Sequence, residues 1–236
     1  MKALSILCAL FVAVSAQASL IVNDSLADID PGINNGAGTM DIVSMEVAHT
    51  ATDIIFALTV NGNVSTTDWG NFMIGIATGG TGTTTGNGWN RPINLDSPIG
   101  GMDFWIGSWV NAGGGSQLWS YNGATWDGPA ALAGYTFTPG AVSLMTYTVS
   151  RGALGLTGDD TFYFDAYSSG GGGTDSAVDA LSNPNVSITA WDQVYTSSVA
   201  PGNGLNVYTI PEPSTAALLG LGALCGLGFV RRVRRA

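Results

Sequence analysis

Between residues 19 and 209 the chain has one glutamate (Glu46), two arginines (Arg91 and Arg151) and no lysine. An amphipathic helix clothes its solvent face with Glu, Lys, Arg and Gln, and it is weakened by glycine and β-branched residues. Here Gly, Thr, Ser and Asn fill the positions such a face requires. Long helices are therefore excluded, and the stretch is predicted to be all-β with long glycine-bearing loops. At roughly 190 residues it is large enough for one domain with its own core.

Alternating stripes locate the strands. Asp41 to Ala48 places Val43, Met45 and Val47 on one face, and Asp53 to Val60 places Ile54, Phe56, Leu58 and Val60 together. His49 to Thr52 has the length of a hairpin loop between them. Phe72, Ile74 and Ile76 form the next inward stripe, followed by a polar Gly/Thr/Asn loop from Thr78 to Gly101. Further strands are predicted at Met102–Val110, Gln117–Tyr121, Val142–Val149, Thr161–Tyr167, Val186–Trp191 and Leu205–Ile210. Short strands at this spacing point to a two-sheet β-sandwich of jelly-roll type.

The two ends differ in kind. Met1-Lys2, an apolar run from Ala3 to Val14 and Ser15-Ala16-Gln17-Ala18 have the order of a secretion signal, with cleavage expected between Ala18 and Ser19 by signal peptidase. At the other end, Pro211-Glu212-Pro213 precedes an apolar stretch at 214–230 and the basic stub Arg231-Arg232-Val233-Arg234-Arg235. At about 1.5 Å per residue that stretch reaches about 25 Å, barely enough for a transmembrane helix across a hydrocarbon core of about 30 Å. Four of the seven basic residues of the chain lie in the stub, which the positive-inside rule keeps cytoplasmic.

The segment 210–236 resembles a PEP-CTERM sorting signal: a Pro-Glu-Pro element, a short Gly/Leu-rich helix and a terminal Arg cluster, in that order. The resemblance implies an exosortase as partner, an inner-membrane intermediate, and removal of the tail on transfer to the cell surface or extracellular matrix of a Gram-negative bacterium. Such systems accompany extracellular polysaccharide.

Without its ends the chain keeps two arginines against sixteen of the seventeen acidic residues, a formal charge of −14. That field repels phosphate backbones and excludes nucleic acid as a partner. Both cysteines, Cys8 and Cys225, lie in the ends, so the domain is expected to fold without a disulfide.

Catalytic chemistry is sparse. A nucleophile-histidine-acid triad needs an imidazole base, and the single histidine, His49, falls in a predicted turn. One histidine without cysteine builds no ordinary zinc or haem site. A glycosidase needs two carboxylates of opposed tuning, whereas the aspartates here fall mainly in turn contexts. The chain is expected not to be an enzyme. Asp24, Asp28 and Asp30 bring three hard oxygen ligands into one loop and form a candidate calcium site, with Asp175 and Asp179 as further ligand sources. Solvated acidic turns are the alternative.

The aromatics carry the remaining signal. In the Asp103–Val110 segment a period of two sets Phe104, Ile106 and Val110 on one face and Trp105 and Trp109 on the other. The two tryptophans are then about 13 Å apart at about 3.3 Å per residue, with Gly107 leaving a gap between them. Trp119 and Tyr121 share a face in the next strand. Trp105, Trp109, Trp119 and Tyr121 are the candidate glycan-binding residues, since indole faces stack on sugar rings. The same rings would otherwise fill a second core.

A softer resemblance spans Asp24 to about Asp192. The acidic opening Asp24 to Asp30, Asp68-Trp69-Gly70-Asn71-Phe72, Met102-Asp103-Phe104-Trp105-Ile106, Leu118-Trp119-Ser120-Tyr121 and Phe162-Tyr163-Phe164 follow one another as in the DOMON-like sandwiches related to family 9 carbohydrate-binding modules. It implies a sandwich with affinity for carbohydrate and carries over no ligand residue.

Overall fold

The computed structural model describes residues 19–158, 160–199 and 204–211. The predicted signal segment, both cysteines and the tail beyond Pro211 lie outside the described residues. Among the described residues no helix is long and apolar enough to cross a membrane.

Two antiparallel sheets make the sandwich. The first has the order β1 (Ser19–Asn23), β2 (Ile42–His49), β3 (Asp53–Asn61), β11 (Val142–Ser150), β10 (Gly134–Thr138). In the second, β12 (Thr161–Ser169), β4 (Asn71–Ala77), β7 (Phe104–Trp109), β8 (Gly115–Tyr121) and β9 (Trp126–Ala130) follow in that order. The free edge of β12 pairs with β13 (Asp179–Ala180) at Tyr167 and Ser168, and with β15 (Asn206–Thr209) at Thr161–Phe164. The chain crosses between sheets from β3 to β4 and from β11 to β12. Those crossings set the pairs β3–β11 and β4–β12 side by side within their sheets.

The predicted inward stripes face each other across the sandwich. Met45, Val47, Ile54, Phe56, Leu58 and Val60 meet Phe72, Ile74, Ile76, Ile106, Phe162 and Phe164 in one apolar core. Val43 is a correction. A register shift between Ile42 and Ser44 turns Ile42 inward, and Val43 is only half-buried.

A third layer was not expected. Within the predicted 78–101 loop lie β5 (Ile93–Ser97) and β6 (Gly100–Gly101), and β14 (Tyr195–Ser198) joins β5 in parallel. The predicted strand at Val186–Trp191 is instead turn and loop. The small sheet covers the outer face of the second sheet, where Ile93, Leu95, Met102 and Tyr195 pack with Met73, Ala77, Trp105 and Tyr167 in a second core. Gly75 permits the approach: a Cβ there would meet Met102 Sδ at 2.7 Å. The long 24–41 loop also adds Ile29, Ile33 and Met40 to this core.

His49 closes β2 rather than standing free in a turn, and its Nδ1 lies 2.7 Å from the Tyr208 hydroxyl of β15. The turn proper is Thr50–Thr52, closed by the Thr50 amide donating to the Asp53 carbonyl at 2.8 Å.

Candidate functional site

Where the third layer stops, the outer face of the second sheet opens into a groove of about 720 Å³. Strand alternation builds its floor. β7 sends Phe104 and Ile106 to the first core, so Trp105, Gly107 and Trp109 face outward in a row. On β8, Gln117 and Trp119 share that outward face.

The gap predicted at Gly107 is filled. Trp89, from the loop before β5, lies on it so closely that a Cβ at Gly107 would stand 2.2 Å from the indole. Its ring centroid is 6.4 Å from that of Trp109, and its Nε1–H donates to Gln117 Oε1 at 3.0 Å. Trp119 Nε1–H donates to the same oxygen at 3.3 Å. Gln117 therefore fixes both indoles in place.

Arg91 stands over Trp89, with its guanidinium carbon 5.4 Å from the ring centroid. It is buried and donates from Nη1 to Ser169 Oγ at 2.7 Å and to the Asp175 carbonyl at 3.1 Å. Burial lowers its pKa to about 10, partly opposed by Asp175, so it stays charged at neutral pH. The rest of the lining is Trp69, Asn71, Asn111 and Gly171. Trp69 is braced edge-on by Trp191 at 6.2 Å, and Asn71 Nδ2–H donates to the Gly170 carbonyl at 2.7 Å. Half-exposed indole faces beside amide and guanidinium groups offer stacking surface and hydroxyl partners together.

Of the four predicted aromatic residues, one lines this groove. Trp109 does, half-exposed. Trp119 supports it through Gln117. Trp105 is fully buried, stacked on Tyr167 with centroids 5.9 Å apart, because the third layer covers that end of β7; no ligand can stack on it. Tyr121 faces a separate hollow of about 330 Å³ with Asp103 and Phe104, its ring against Trp126 at 5.5 Å. Trp69, Trp89, Asn71, Arg91, Asn111 and Gln117 were missed. Trp89-Asn90-Arg91 inside an otherwise polar loop was the available signal.

The predicted calcium loop is partly assembled. Asp24 and Asp28 meet Asp179 of β13, each offering an oxygen within 4.8 Å of the others. Asp30 is not in the group; its Oδ1 accepts from the Gly32 amide at 2.7 Å and closes a local turn. Asp175 likewise closes a turn, its Oδ2 accepting from the Gly172 amide. The acidic group lines neither the groove nor the hollow beside Tyr121.

β15 ends at Thr209, Ile210 is buried, and Pro211, the first residue of the Pro-Glu-Pro element, is exposed. The family model of the PEP-CTERM protein-sorting motif matches residues 209–235. The chain thus carries a PEP-CTERM tail, which marks it for export and for sorting to the surface of a Gram-negative cell by an exosortase. No curated protein matches the chain.

Proposed function

We propose that this chain is a non-enzymatic component of the cell surface or extracellular matrix, and that the groove on its second sheet binds extracellular polysaccharide. Export begins with the 1–18 signal, cut by signal peptidase after Ala18. The apolar 214–230 segment then holds the chain in the inner membrane until the exosortase removes it. The observation that carries the glycan reading is the groove itself. Trp69, Trp89 and Trp109 present indole surface beside Asn71, Asn111, Gln117 and the charged Arg91, the mixture that stacks on sugar C–H faces and pairs with hydroxyls. Arg91, among the described residues the one cation of the lining, is buried and held by Ser169 and the Asp175 carbonyl, and the formal charge of −14 disfavours acidic chains, so a neutral polysaccharide is the expected ligand. The likeness to DOMON-like and family 9 carbohydrate-binding sandwiches agrees with this reading. His49 is engaged with Tyr208 and lines neither the groove nor the hollow beside Tyr121.

A glycan array probed with the surface form of the protein tests the proposal. Binding to neutral polysaccharide is expected, with loss in Trp109→Ala. A blank array leaves a purely structural or adhesive envelope role, and equal binding by Trp109→Ala puts the glycan site outside this groove.

A further inference from the structure

Three segments far apart in the chain bring carboxylates to one point. Asp24 follows β1, Asp28 lies in the loop beyond it, Asp41 immediately precedes β2, and Asp179 sits on β13 at the edge of the second sheet. Asp179 is 1% exposed and Asp41 4%. Backbone amides satisfy part of their acceptor capacity. Ser25 N–H donates to Asp24 Oδ1 at 2.7 Å, and Ala27 N–H to Asp41 Oδ2 at 3.1 Å. Ile42 and Ala180 N–H donate to the two oxygens of Asp179 at 2.7 and 2.8 Å.

Four buried oxygens then receive nothing: Asp24 Oδ2, both oxygens of Asp28, and Asp41 Oδ1. Asp41 is the independent witness. It stands outside the Asp24–Asp28–Asp179 group, is almost wholly enclosed, and its charge bears on both Asp28 and Asp179. The other charges acting on the group are also negative: Asp179, Asp28 and Asp165 all press on Asp24. Neither Arg91 nor Arg151 is among them. Unpartnered buried carboxylate oxygens are costly, and several facing one another are costlier still.

We propose that Asp24, Asp28 and Asp179 bind a calcium ion that ties the 24–41 loop to the edge of the second sheet. The donors are all hard oxygen, and ligands 2.3–2.6 Å from calcium stand at most about 5.2 Å apart, which accommodates the observed cluster. Magnesium normally uses one or two carboxylates and keeps several waters, so a cluster of three favours calcium. Burial and mutual repulsion raise Asp24 to about 9 and Asp28 to about 6, the direction expected where carboxylates have been gathered without a counter-charge. The ion would hold in place a loop that supplies Ile29, Ile33 and Met40 to the second core. That loop also meets the turn leading to Trp69, where Thr67 Oγ1–H donates to the Gly36 carbonyl at 3.2 Å.

The test is calorimetric titration of the full chain, stripped with chelator, with calcium chloride and separately with magnesium chloride, alongside thermal unfolding. One calcium per chain is expected, with a melting temperature that climbs as calcium rises through the millimolar range and a weaker response to magnesium. Asp28→Asn should abolish both signals. Since neither Asp28 oxygen accepts a hydrogen bond, this variant should still fold, as near-ultraviolet circular dichroism would verify. Asp30→Asn should bind as the wild type does. Absence of saturable calcium binding to the folded stripped protein, or wild-type binding by Asp28→Asn, overturns the assignment.

Discussion

Gly107→Ala adds one methyl group at the centre of the proposed groove and nothing to either core. Gly107 pairs with Met73 on one side and Gln117 on the other, so the ladder itself accepts alanine. The new Cβ would stand 2.2, 2.3 and 2.6 Å from Cζ2, Cε2 and Cη2 of Trp89, where ordinary contact begins near 3.4 Å. The indole must retreat by more than about 1 Å, which breaks its 3.0 Å hydrogen bond to Gln117. Losing that bond costs about 0.5–1.5 kcal/mol. Overpacking costs about 1–3 kcal/mol, and removing a strand glycine returns about 0.5–1 kcal/mol. The net is a loss of about 1–3 kcal/mol, and at about 2–4 °C per kcal/mol for a domain of this size the melting temperature should fall by several degrees. Thermal unfolding, tryptophan emission and affinity electrophoresis in polysaccharide gels measure the three consequences on one sample. A variant as stable as the wild type with unchanged emission would show that Trp89 does not lie on β7, and the groove as described would fall.

The other predictions separate packing from binding and charge from packing. Trp105→Ala should cost about 3–5 kcal/mol, as emptying an aromatic core site does, whereas Trp109→Ala should cost far less while weakening polysaccharide retention; equal stability losses in denaturant titrations would contradict the two burial assignments. Carboxylates raised above their unfolded values stabilise the fold below about pH 4 and lose that contribution as pH rises through about 6 for Asp28 and about 9 for Asp24. The groups facing them are Asp41, Asp165 and Asp179, with Tyr195 also within reach of Asp165 and Asp179. The melting-temperature gain from calcium over chelator should therefore be larger at pH 8 than at pH 5, and a gain independent of pH would contradict it.

Local alternation made the sandwich legible. The stripes through Phe56, Ile74, Ile106 and Phe164 each bury one strand face, and the parity that separates Ile106 from Trp105 and Trp109 is the parity observed. What alternation leaves open is what covers the far side of a sheet. β5 and β14 are short and pair with each other across about a hundred residues; β14 has no apolar stripe, and β5 offers only the two-residue alternation of Ile93 and Leu95, too brief to mark a strand. Alternation alone therefore leaves Trp105 readable as an open-face ring or as part of a second core, and the third layer makes it core. Trp109, four residues on and past the rim of the third layer, is where the outward face does reach solvent. The same distance limit applied to the acidic cluster. Asp24 and Asp28 are visible as neighbours in one loop, but Asp179 joins them only because β13 docks on β12, and its closeness to Asp30 in chemistry gave no way to choose between them.

On the proposed route the sandwich is cargo, delivered to the cell surface by cleavage at both ends. Intact-mass measurement of the protein released from the surface of the producing cell tests it most directly. The account predicts a species that begins at Ser19 and ends before the basic stub, lacking Arg231 to Ala236, and that remains in the inner membrane with its stub when Pro211, Glu212 and Pro213 are all replaced by alanine. A surface form that retains Met1 or the Arg231–Ala236 stub would contradict it.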